Sequence, residues 1–390
     1  MKLSDNTLLP EFAAYLAKNI YSVNESHRRL YILLKESGLD VSSMSNHVLQ
    51  ASVGGHIFRS ATDDFGVMAM GTGEYKNHMF LIFRGTTNRN NKADWVTDAS
   101  VGVSSAKGLI PAHAGFVKTF KSMEKAIEKF KIGKQTSGYI HCIGHSLGGA
   151  IATLAAFWAY HNICKRVKLY TFGQPRVGLH VFSSFFTSKI GTNNIYRVFN
   201  EMDPVPVIPV FPYVHCPLPG KGYFLTSDHL MHKGAAHKMD KYIEILWNYK
   251  SWSSVPRDNV HGLSFGIEQY LNSRMHENAG NPRTFDYVMQ GINWILSKFA
   301  NMTAHMLQGF AMGVHTVIDK IAWALSKINN DDDGEGPRYV RLLVVKIQRI
   351  LGLPNNFNQG NNTKAFFRYL LQILKQRAEQ QAREAILYPV

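Results

Sequence analysis

The sequence predicts an α/β fold with a mainly parallel central sheet, followed by a mostly helical C-terminal extension. Three observations indicate this organisation. Short apolar runs alternate with helical stretches between residues 67 and 249, as is typical of a parallel sheet covered by helices on both faces. From about residue 260 only helical periodicity remains. The length of 390 residues also exceeds one typical domain. We therefore predict an α/β domain at residues 1–259 and an extension at residues 260–390.

The elements of the first domain follow from the length and composition of each apolar run. Short runs rich in β-branched and aromatic residues predict buried strands, and longer runs with apolar residues three or four positions apart predict helices. The predicted strands are residues 80–83, 139–143, 168–172 and 194–199. The predicted helices are residues 12–21, 123–130 and 150–160.

The extension combines an apolar helical stripe with a basic tail. Apolar side chains recur at three, four or seven positions from Phe285 to Leu325, which predicts amphipathic helices. The acidic, glycine-containing residues 329–337 predict a linker, and further helices are expected at residues 339–351 and 363–386. From Arg338 onward there are nine basic and two acidic residues, a net charge of +7.

Residues 299–318 contain no Lys, Arg, Asp or Glu and are long enough to span a bilayer. Two glycines, Gly309 and Gly313, form a GxxxG pair of the kind found where helices pack closely. Polar residues interrupt the segment, among them Asn301 and His305. We therefore expect a packed amphipathic helix first, a membrane-associating helix second and a transmembrane span third.

Composition favours a folded protein that binds something anionic. Hydrophobic residues make up 45% of the chain and charged residues 18%, which excludes global disorder. The formal charge of +15 favours nucleic acid or anionic lipid as a partner. The sequence has no zinc-finger spacing or other nucleic-acid module, so we expect a membrane surface and no nucleic acid.

Cysteine content and the N-terminal residues predict synthesis in the cytoplasm. Three cysteines, Cys142, Cys164 and Cys216, do not form a disulfide framework, so a reducing compartment is expected. Asp5 and the Pro10-Glu11 pair interrupt any basic and apolar leader, so no secretory signal is expected here.

The strongest chemical motif is GHSLG at residues 144–148, which fits G-x-S-x-G. It follows a predicted strand and precedes a helix rich in small side chains, the context of a nucleophile elbow. The glycines on either side of Ser146 permit a sharp turn that exposes its hydroxyl. We predict that Ser146 is a nucleophile rather than an inert turn residue.

A serine hydroxyl needs a base, and proteins with this elbow carry an acid and then a histidine downstream. Asp203 follows the predicted strand that ends near residue 199, and Glu201 is its rival. The histidine candidates after Asp203 are His215, His229, His232 and His237. We prefer His237 because it opens a helical segment that would hold it rigidly, while His229 and His232 remain alternatives on spacing.

The negative oxygen of a tetrahedral intermediate needs preorganised donors. We expect one donor to be the N–H of Leu147, the residue after the nucleophile. The second is expected from the strand exit FRGT at residues 83–86, where Gly85 allows close backbone approach and Thr86 offers an N–H and a hydroxyl. The alternative for this motif is an ordinary turn at the end of a strand.

Together these motifs resemble the class 3 lipase family, which contains fungal-type triacylglycerol lipases and related phospholipases. The resemblance extends in order over roughly residues 10–250. It implies an α/β-hydrolase fold, with Ser146 as nucleophile, Asp203 as acid, and Thr86 and Leu147 as oxyanion donors. The motifs that carry it are FRGT (83–86), DWVTD (94–98), HAGF (113–116), GHSLGG (144–149), TFGQPRVG (171–178) and NEMDPVP (200–206).

The resemblance also favours His237, because the histidine of the family precedes a helix with a nearby tyrosine, here Tyr242. It maps a lid onto residues 87–100, in which Trp95 and Val96 would cover the site; the alternative is a fixed surface loop. Two features depart from the fungal lipases. The 34-position interval between Asp203 and His237 is short, and residues 260–390 have no counterpart in those enzymes.

The resemblance implies a serine-dependent hydrolase of lipid esters without a metal or other cofactor. The positive charge favours membrane phospholipids as substrate, in a phospholipase A-type reaction. Triacylglycerol hydrolysis, a cytoplasmic esterase, a peptidase or thioesterase, and a membrane-binding or pore-forming protein are the alternatives. The family includes phospholipase effectors that bacteria inject into rivals, for instance through a type VI system. If the chain resembles these, a cognate immunity protein is an expected partner.

Overall fold

The structure is a computed structural model that divides into two compact units. The first unit comprises residues 1–206, 214–258 and 383–390, and the second comprises residues 207–213 and 259–382. The structure describes residues 3–4, 6–41, 44–52, 62–86, 103–105, 111–132, 136–210, 212–227, 232–258, 263–273, 281–301, 317–331, 334–354 and 363–388.

An eight-stranded sheet forms the centre of the first unit. The described strands of the chain are β1 Leu3–Ser4, β2 Thr7–Leu8, β3 Leu39–Asp40, β4 Val48–Ser52, β5 Thr62–Gly71, β6 Met79–Phe83, β7 Val103–Ser105, β8 Pro111–His113, β9 Ile140–His145, β10 Val167–Phe172, β11 Ile195–Asn200 and β12 Tyr223–Leu225. The strands of the central sheet run in the spatial order β12-β11-β10-β9-β6-β5-β3, and β4 pairs with β5 beside this path.

The half of the sheet from β6 to β12 is parallel, as the alternation of strands and helices predicts. Strands β6, β9, β10 and β11 are buried at every position, which explains why they read as short, mainly apolar runs in the sequence. The other half is antiparallel, because β5 pairs in that sense with β3, β4 and β6. The α/β fold is thus confirmed, with a mixed rather than purely parallel sheet.

The helices of the first unit flank this sheet. The helix after β9 is buried along almost its whole length, and its alanines and glycines allow it to lie close to β9 and β10. The described helices of this unit are α1 Pro10–Asn19, α2 His27–Glu36, α3 Met44–His47, α4 Ala114–Lys131, α5 Leu147–Asn162, α6 His180–Ile190, α7 Lys233–His237 and α8 Met239–Leu246.

The second unit is mostly helical in its described parts. Its helices are α9 Leu263–Asn272, α10 Arg283–Ala300, α11 Val317–Asn329, α12 Gly336–Leu351 and α13 Lys364–Leu387, of which the last residues belong to the first unit. The predicted linker is the short connection between α11 and α12. The stripe residues Phe285, Val288, Ile292 and Leu325 are buried, so in these helices the apolar stripe forms a protein core. Within the described ranges, no helix is both long enough and apolar enough to cross a membrane. Most of the segment 299–318 lies outside them.

Buried histidines predict that the first unit loses stability in acid. His113 is the N-cap residue of α4 and its Nδ1 accepts from the Phe116 N–H, and burial lowers the pKa of His113 to about 4. The unfolded chain has the ordinary histidine pKa near 6.5 and therefore binds protons first, so the free energy of unfolding decreases as the pH falls below that value.

We expect His113 alone to contribute about 1 kcal/mol of destabilisation between pH 7.5 and 5.5. The substitution His113→Asn keeps a capping acceptor and removes the titrating group. Urea unfolding at both pH values should therefore give a smaller pH difference for the variant than for the wild type. An equal difference in both proteins would contradict the prediction.

Candidate active site

Ser146 lies at the sharp turn between β9 and α5. It is the N-cap residue of α5, with φ 55° and ψ −130°, a left-handed backbone conformation that a residue with a Cβ adopts only when its surroundings impose it. The Ser146 N–H donates to the Phe172 carbonyl oxygen at 2.9 Å, so the neighbouring strand β10 fixes the turn. The sequence-predicted elbow is therefore present.

Two glycines make this turn possible. A Cβ on Gly144 would lie 2.2 Å from the Gly148 carbonyl oxygen, and a Cβ on Gly148 would lie 2.3 Å from the Phe83 carbonyl oxygen. Both distances are far below van der Waals contact with backbone atoms that cannot move aside. The glycines of the motif thus let α5 approach β9 and the end of β6 closely.

The structure brings Ser146, His237 and Asp203 into one hydrogen-bonded line. His237 Nε2 lies 3.0 Å from Ser146 Oγ. On the other side of the ring, His237 Nδ1 lies 2.9 Å and 2.8 Å from the two Asp203 carboxylate oxygens. All three residues are buried. Asp203 follows β11 and His237 is the last residue of α7. The short interval of 34 positions between them therefore does not prevent their side chains from making contact.

Asp203 is held in place by two donors besides His237. The Val205 N–H donates to Asp203 Oδ1 at 2.9 Å, and the Tyr242 hydroxyl donates to Asp203 Oδ2 at 2.7 Å. The Tyr242 oxygen in turn accepts from the Asn200 N–H at 3.2 Å. Burial, and then the Asp203 charge, raise the pKa of Tyr242 well above 10, which keeps its hydroxyl protonated as the donor to Asp203.

Gly173 provides the space in which this carboxylate and imidazole meet. It has a φ of +55°, and a Cβ at this position would lie 2.6 Å from Asp203 Oδ2 and 3.2 Å from His237 Nδ1. Any side chain at residue 173 would therefore push the acid and the histidine apart. The motif TFGQPRVG contains this glycine, but the sequence alone did not indicate its function.

The alternative acid and histidines make other contacts. Glu201 Oε1 accepts from the Ser227 N–H at 3.1 Å. His215 Nε2 donates to the Pro206 carbonyl oxygen at 2.8 Å, and His232 Nδ1 accepts from the Gly234 N–H as the N-cap of α7. His229 lies outside the described residues.

The two expected oxyanion donors lie on either side of the elbow. Leu147 is the first residue of α5, where a backbone N–H has no acceptor within the helix. Thr86 follows Gly85, and a Cβ on Gly85 would lie 2.8 Å from the Ser146 Cβ, so this strand exit contacts the elbow directly. The lid residues Trp95 and Val96 lie outside the described residues.

Arg84 is a site residue that the sequence did not reveal. Its buried guanidinium donates to the Gly85 carbonyl oxygen at 2.7 Å, to Asp63 Oδ2 at 2.6 Å and to the Asp64 carbonyl oxygen at 2.7 Å. Arginine at the end of a strand is usually a solvated side chain, so only the fold identifies it as an anchor of the loop before Thr86.

The arrangement is suited to acyl transfer at a serine. A neutral imidazole at hydrogen-bond distance can take the Ser146 proton, and the buried carboxylate stabilises the resulting imidazolium. Within the described residues, no group of three or more His, Cys, Asp or Glu side chains is placed to hold a metal ion.

The contact between Tyr242 and Asp203 leads to a prediction for Tyr242→Phe. The variant leaves one buried carboxylate oxygen without its hydroxyl donor, so Asp203 should orient His237 less well. We expect kcat to fall about tenfold, as for the loss of one buried hydrogen bond to a charged group. Steady-state kinetics with a soluble ester test this, with Tyr249→Phe as a control at a partly buried tyrosine of the same region. Equal kcat values in Tyr242→Phe and the wild type would contradict the role of this hydroxyl.

Comparison with known proteins gives the same family as the motifs. The family described as lipase (class 3) matches residues 80–213. The secreted mono- and diacylglycerol lipase 1 of Fusarium solani is 32% identical over 152 residues, which cover 37% of this chain and 44% of that protein. The secreted mono- and diacylglycerol lipase A of Penicillium cyclopium is 33% identical over 175 residues, which cover 43% of this chain and 53% of that protein.

Among solved structures, the triacylglyceride lipase of Rhizomucor miehei is 23% identical with a TM-score of 0.42, covering 56% of this chain and 79% of the lipase. The lipase of Rhizopus microsporus var. chinensis is 22% identical with a TM-score of 0.40, covering 55% of this chain and 72% of that lipase.

The similarity concerns the part of the chain that contains Ser146 and Asp203. This chain spans about half the length of the two secreted lipases that it matches. The matched segment begins at β6, includes the elbow and extends beyond β11. On this match and on the motifs it contains, the segment from residue 80 to residue 213 is similar to the class 3 lipase family.

Proposed function

We propose that this protein is a serine-dependent hydrolase of carboxylic esters in lipids. The observation that carries the proposal is the line of hydrogen bonds from Ser146 Oγ through His237 to Asp203. In this proposal Ser146 is the nucleophile, His237 is the general base and then acid, and Asp203 orients the imidazole. Leu147 and Thr86 donate to the oxyanion.

The reaction follows from these positions in two halves. His237 Nε2 takes the proton of Ser146 as Oγ attacks the ester carbonyl, and the tetrahedral oxyanion receives hydrogen bonds from Leu147 and Thr86. The intermediate collapses to an acyl-serine, and His237 returns the proton to the leaving alcohol. Water then attacks the acyl-serine with the same proton transfers, which releases the fatty acid and restores Ser146.

Membrane phospholipids are the substrate class that we propose. The formal charge of +15 attracts the enzyme to an anionic lipid surface, whereas a neutral acylglycerol droplet offers no such attraction. The relatives named mono- and diacylglycerol lipases favour acylglycerols as the second candidate.

The second unit carries a surface that suits such a membrane. Trp323 on α11 and Tyr369 on α13 are 48% and 54% exposed, and Trp and Tyr favour the interface between lipid and water. Arg368 Nε lies 3.1 Å from Asp319 Oδ1, so this ion pair joins the two helices close to the aromatic residues. Lys320 and Lys327 lie three and four positions from Trp323 on α11, and in this proposal they contact anionic headgroups.

Mass spectrometry of the products tests the substrate class. Purified protein is incubated separately with vesicles of phosphatidylethanolamine and phosphatidylglycerol and with a dioleoylglycerol emulsion, with Ser146→Ala as the control. We expect faster release of fatty acid and lysophospholipid from the vesicles. Faster hydrolysis of dioleoylglycerol would show that acylglycerols, and not phospholipids, are the preferred substrates. Hydrolysis of peptide or thioester substrates alone would contradict a lipid substrate.

Vesicle sedimentation tests the membrane surface. Trp323→Ala with Tyr369→Ala should weaken binding to anionic vesicles. Trp247→Ala is the matched control because Trp247 is an exposed tryptophan of the first unit. Equal binding of all three proteins would contradict the proposed surface. Vesicle leakage caused equally by the wild type and Ser146→Ala would favour a pore-forming protein instead.

We further propose that the substrate membrane is that of another bacterial cell, reached through a dedicated system such as type VI secretion, with an immunity protein protecting the producer. The positive charge supports this target, because bacterial inner membranes are anionic. Expression directed to the periplasm of a susceptible bacterium tests it. Wild-type protein should reduce survival and Ser146→Ala should not; equal survival would contradict the proposal and favour a cytoplasmic esterase.

A further inference from the structure

A chain of hydrogen bonds joins the loop before Thr86 to the backbone of His237, through the partly buried Tyr21 and the buried His145. The Gly85 N–H donates to the Tyr21 hydroxyl oxygen at 2.9 Å. The same hydroxyl lies 2.7 Å from His145 Nδ1. His145 Nε2 lies 2.7 Å from the His237 carbonyl oxygen. The two ends of these hydrogen bonds are thus at the proposed oxyanion donor and at the proposed base, which must act together when Ser146 attacks the ester.

The direction of each hydrogen bond in this chain is fixed. A carbonyl oxygen only accepts, so His145 Nε2 carries a proton and donates to His237. Burial lowers the pKa of His145 well below 6.5, so the ring is neutral and its Nδ1 is an acceptor. The Tyr21 hydroxyl therefore donates to Nδ1, and its oxygen accepts the Gly85 N–H. Each member has the single protonation state that its neighbours require.

At one end, the chain helps to fix the peptide that contains the proposed oxyanion donor. Tyr21 holds the N–H of Gly85, and Arg84 holds its carbonyl oxygen at 2.7 Å. Because the peptide group is planar and trans, a fixed Gly85 carbonyl oxygen directs the Thr86 N–H to the opposite side. Rotation of the Gly85 backbone would break one of these two contacts.

At the other end, the chain holds the residue that contains the proposed base. His237 is the last residue of the five-residue helix α7. Its carbonyl oxygen therefore accepts no N–H from the same helix. His145 supplies the missing donor to that carbonyl. Its ring also lies against the His237 ring, with the centroids 4.7 Å apart. His145 immediately precedes Ser146, so one residue links the base to the elbow.

We propose that Tyr21 and His145 are positioning residues that hold the oxyanion loop and the histidine base at a fixed separation around Ser146. The proposal rests on the proposed function as a serine ester hydrolase. Neither side chain takes part in proton transfer. Their effect is to restrict the two catalytic elements to one arrangement, which lowers the activation barrier rather than strengthening substrate binding.

The first test is Tyr21→Phe, which removes one hydroxyl and keeps the ring. The matched control is Tyr223→Phe, because Tyr223 is a buried tyrosine whose hydroxyl accepts from Arg257 at 2.6 Å on strand β12. We expect kcat for a short soluble ester to fall about tenfold in Tyr21→Phe, since the hydroxyl loses its hydrogen bonds with the Gly85 N–H and with His145 Nδ1. KM should stay within about twofold of the wild-type value, because only interactions made in the transition state are weakened.

Two measurements separate positioning from general stability. A fluorophosphonate that labels the reactive serine gives the concentration of competent sites, so kcat is expressed per labelled site. A trifluoromethyl ketone, which forms a tetrahedral adduct, should bind Tyr21→Phe more weakly by about the factor lost in kcat. If kcat per labelled site and ketone affinity in Tyr21→Phe equal those of Tyr223→Phe, the residue is only structural and the proposal is overturned.

The second variant is His145→Gln, which keeps an amide donor in place of the imidazole. The combined variant Tyr21→Phe/His145→Gln should lose less than the product of the two single losses, because both changes break the same chain. Losses that multiply would contradict a shared chain, and His145→Gln decides the proposal alone if Tyr21→Phe does not fold. Failure of the wild type to hydrolyse any ester or to accept the label would instead contradict the proposed function.

Discussion

Replacement of Ser146 by alanine is expected to remove nearly all ester hydrolysis while leaving the fold intact. The hydroxyl is the only group that differs, and its oxygen makes the 3.0 Å contact to His237 Nε2. Alanine has the same Cβ as serine, so the left-handed backbone at this position is no more strained in the variant. A residual rate of about 10³ to 10⁴ over water is expected from substrate binding and the oxyanion donors.

The measurement is hydrolysis of a soluble ester together with thermal unfolding. Ser251→Ala is a control for the loss of a serine hydroxyl, because Ser251 lies in a surface turn with hydrogen bonds to neighbouring serines. Ser146→Ala should unfold at nearly the wild-type temperature and should not react with a fluorophosphonate. Hydrolysis near the wild-type rate in this variant would exclude Ser146 as the nucleophile.

The elbow was predictable because its physical requirements are local. A strand, a sharp turn and a helix lie within a few residues of Ser146. The two glycines at which an added Cβ would lie 2.2 and 2.3 Å from backbone atoms occur in the same motif. The position of Asp203 was predictable for a similar reason, since the end of a buried strand fixes where the next residues begin. Local sequence therefore contains most of the information about these two positions.

The partners that hold these residues were not predictable in the same way. Tyr21 and His145 are 124 positions apart in the chain, and Tyr242 lies 39 positions after Asp203. A tyrosine at the end of an apolar helical run has the sequence pattern of an ordinary core residue. Only the fold reveals that its hydroxyl reaches a backbone N–H beside the elbow.

The antiparallel part of the sheet shows the same limit. Strand β5 contains Asp63 and Asp64 and two glycines, Gly66 and Gly71, so its first half lacks an apolar run of the kind that predicted the parallel strands. Its pairing with β6 places Asp63 and the Asp64 carbonyl beside Arg84. The polar residues that obscured the strand in the sequence are those that anchor the loop before Thr86.

Replacement of His237 by alanine is expected to be as damaging as Ser146→Ala. Without the imidazole, Ser146 Oγ loses the base that lies 3.0 Å away, and the Asp203 carboxylate loses the ring that it orients. Asp203→Asn should reduce kcat by about 10⁴, because an amide no longer stabilises the productive imidazole tautomer. His27→Ala is the control, since His27 is an exposed histidine paired with Asp64 at 2.8 Å.

The double variant Ser146→Ala/His237→Ala gives the sharper test. The two residues act as one unit, so their combined loss should equal either single loss rather than the product of both. His237→Ala should also abolish fluorophosphonate labelling, because labelling requires the base to activate Ser146. If His229→Ala or His232→Ala abolished activity while His237→Ala retained it, another histidine would be the base. Because His232 caps α7 and stacks on Tyr388 with centroids 4.3 Å apart, we expect His232→Ala to lower stability and activity only in part.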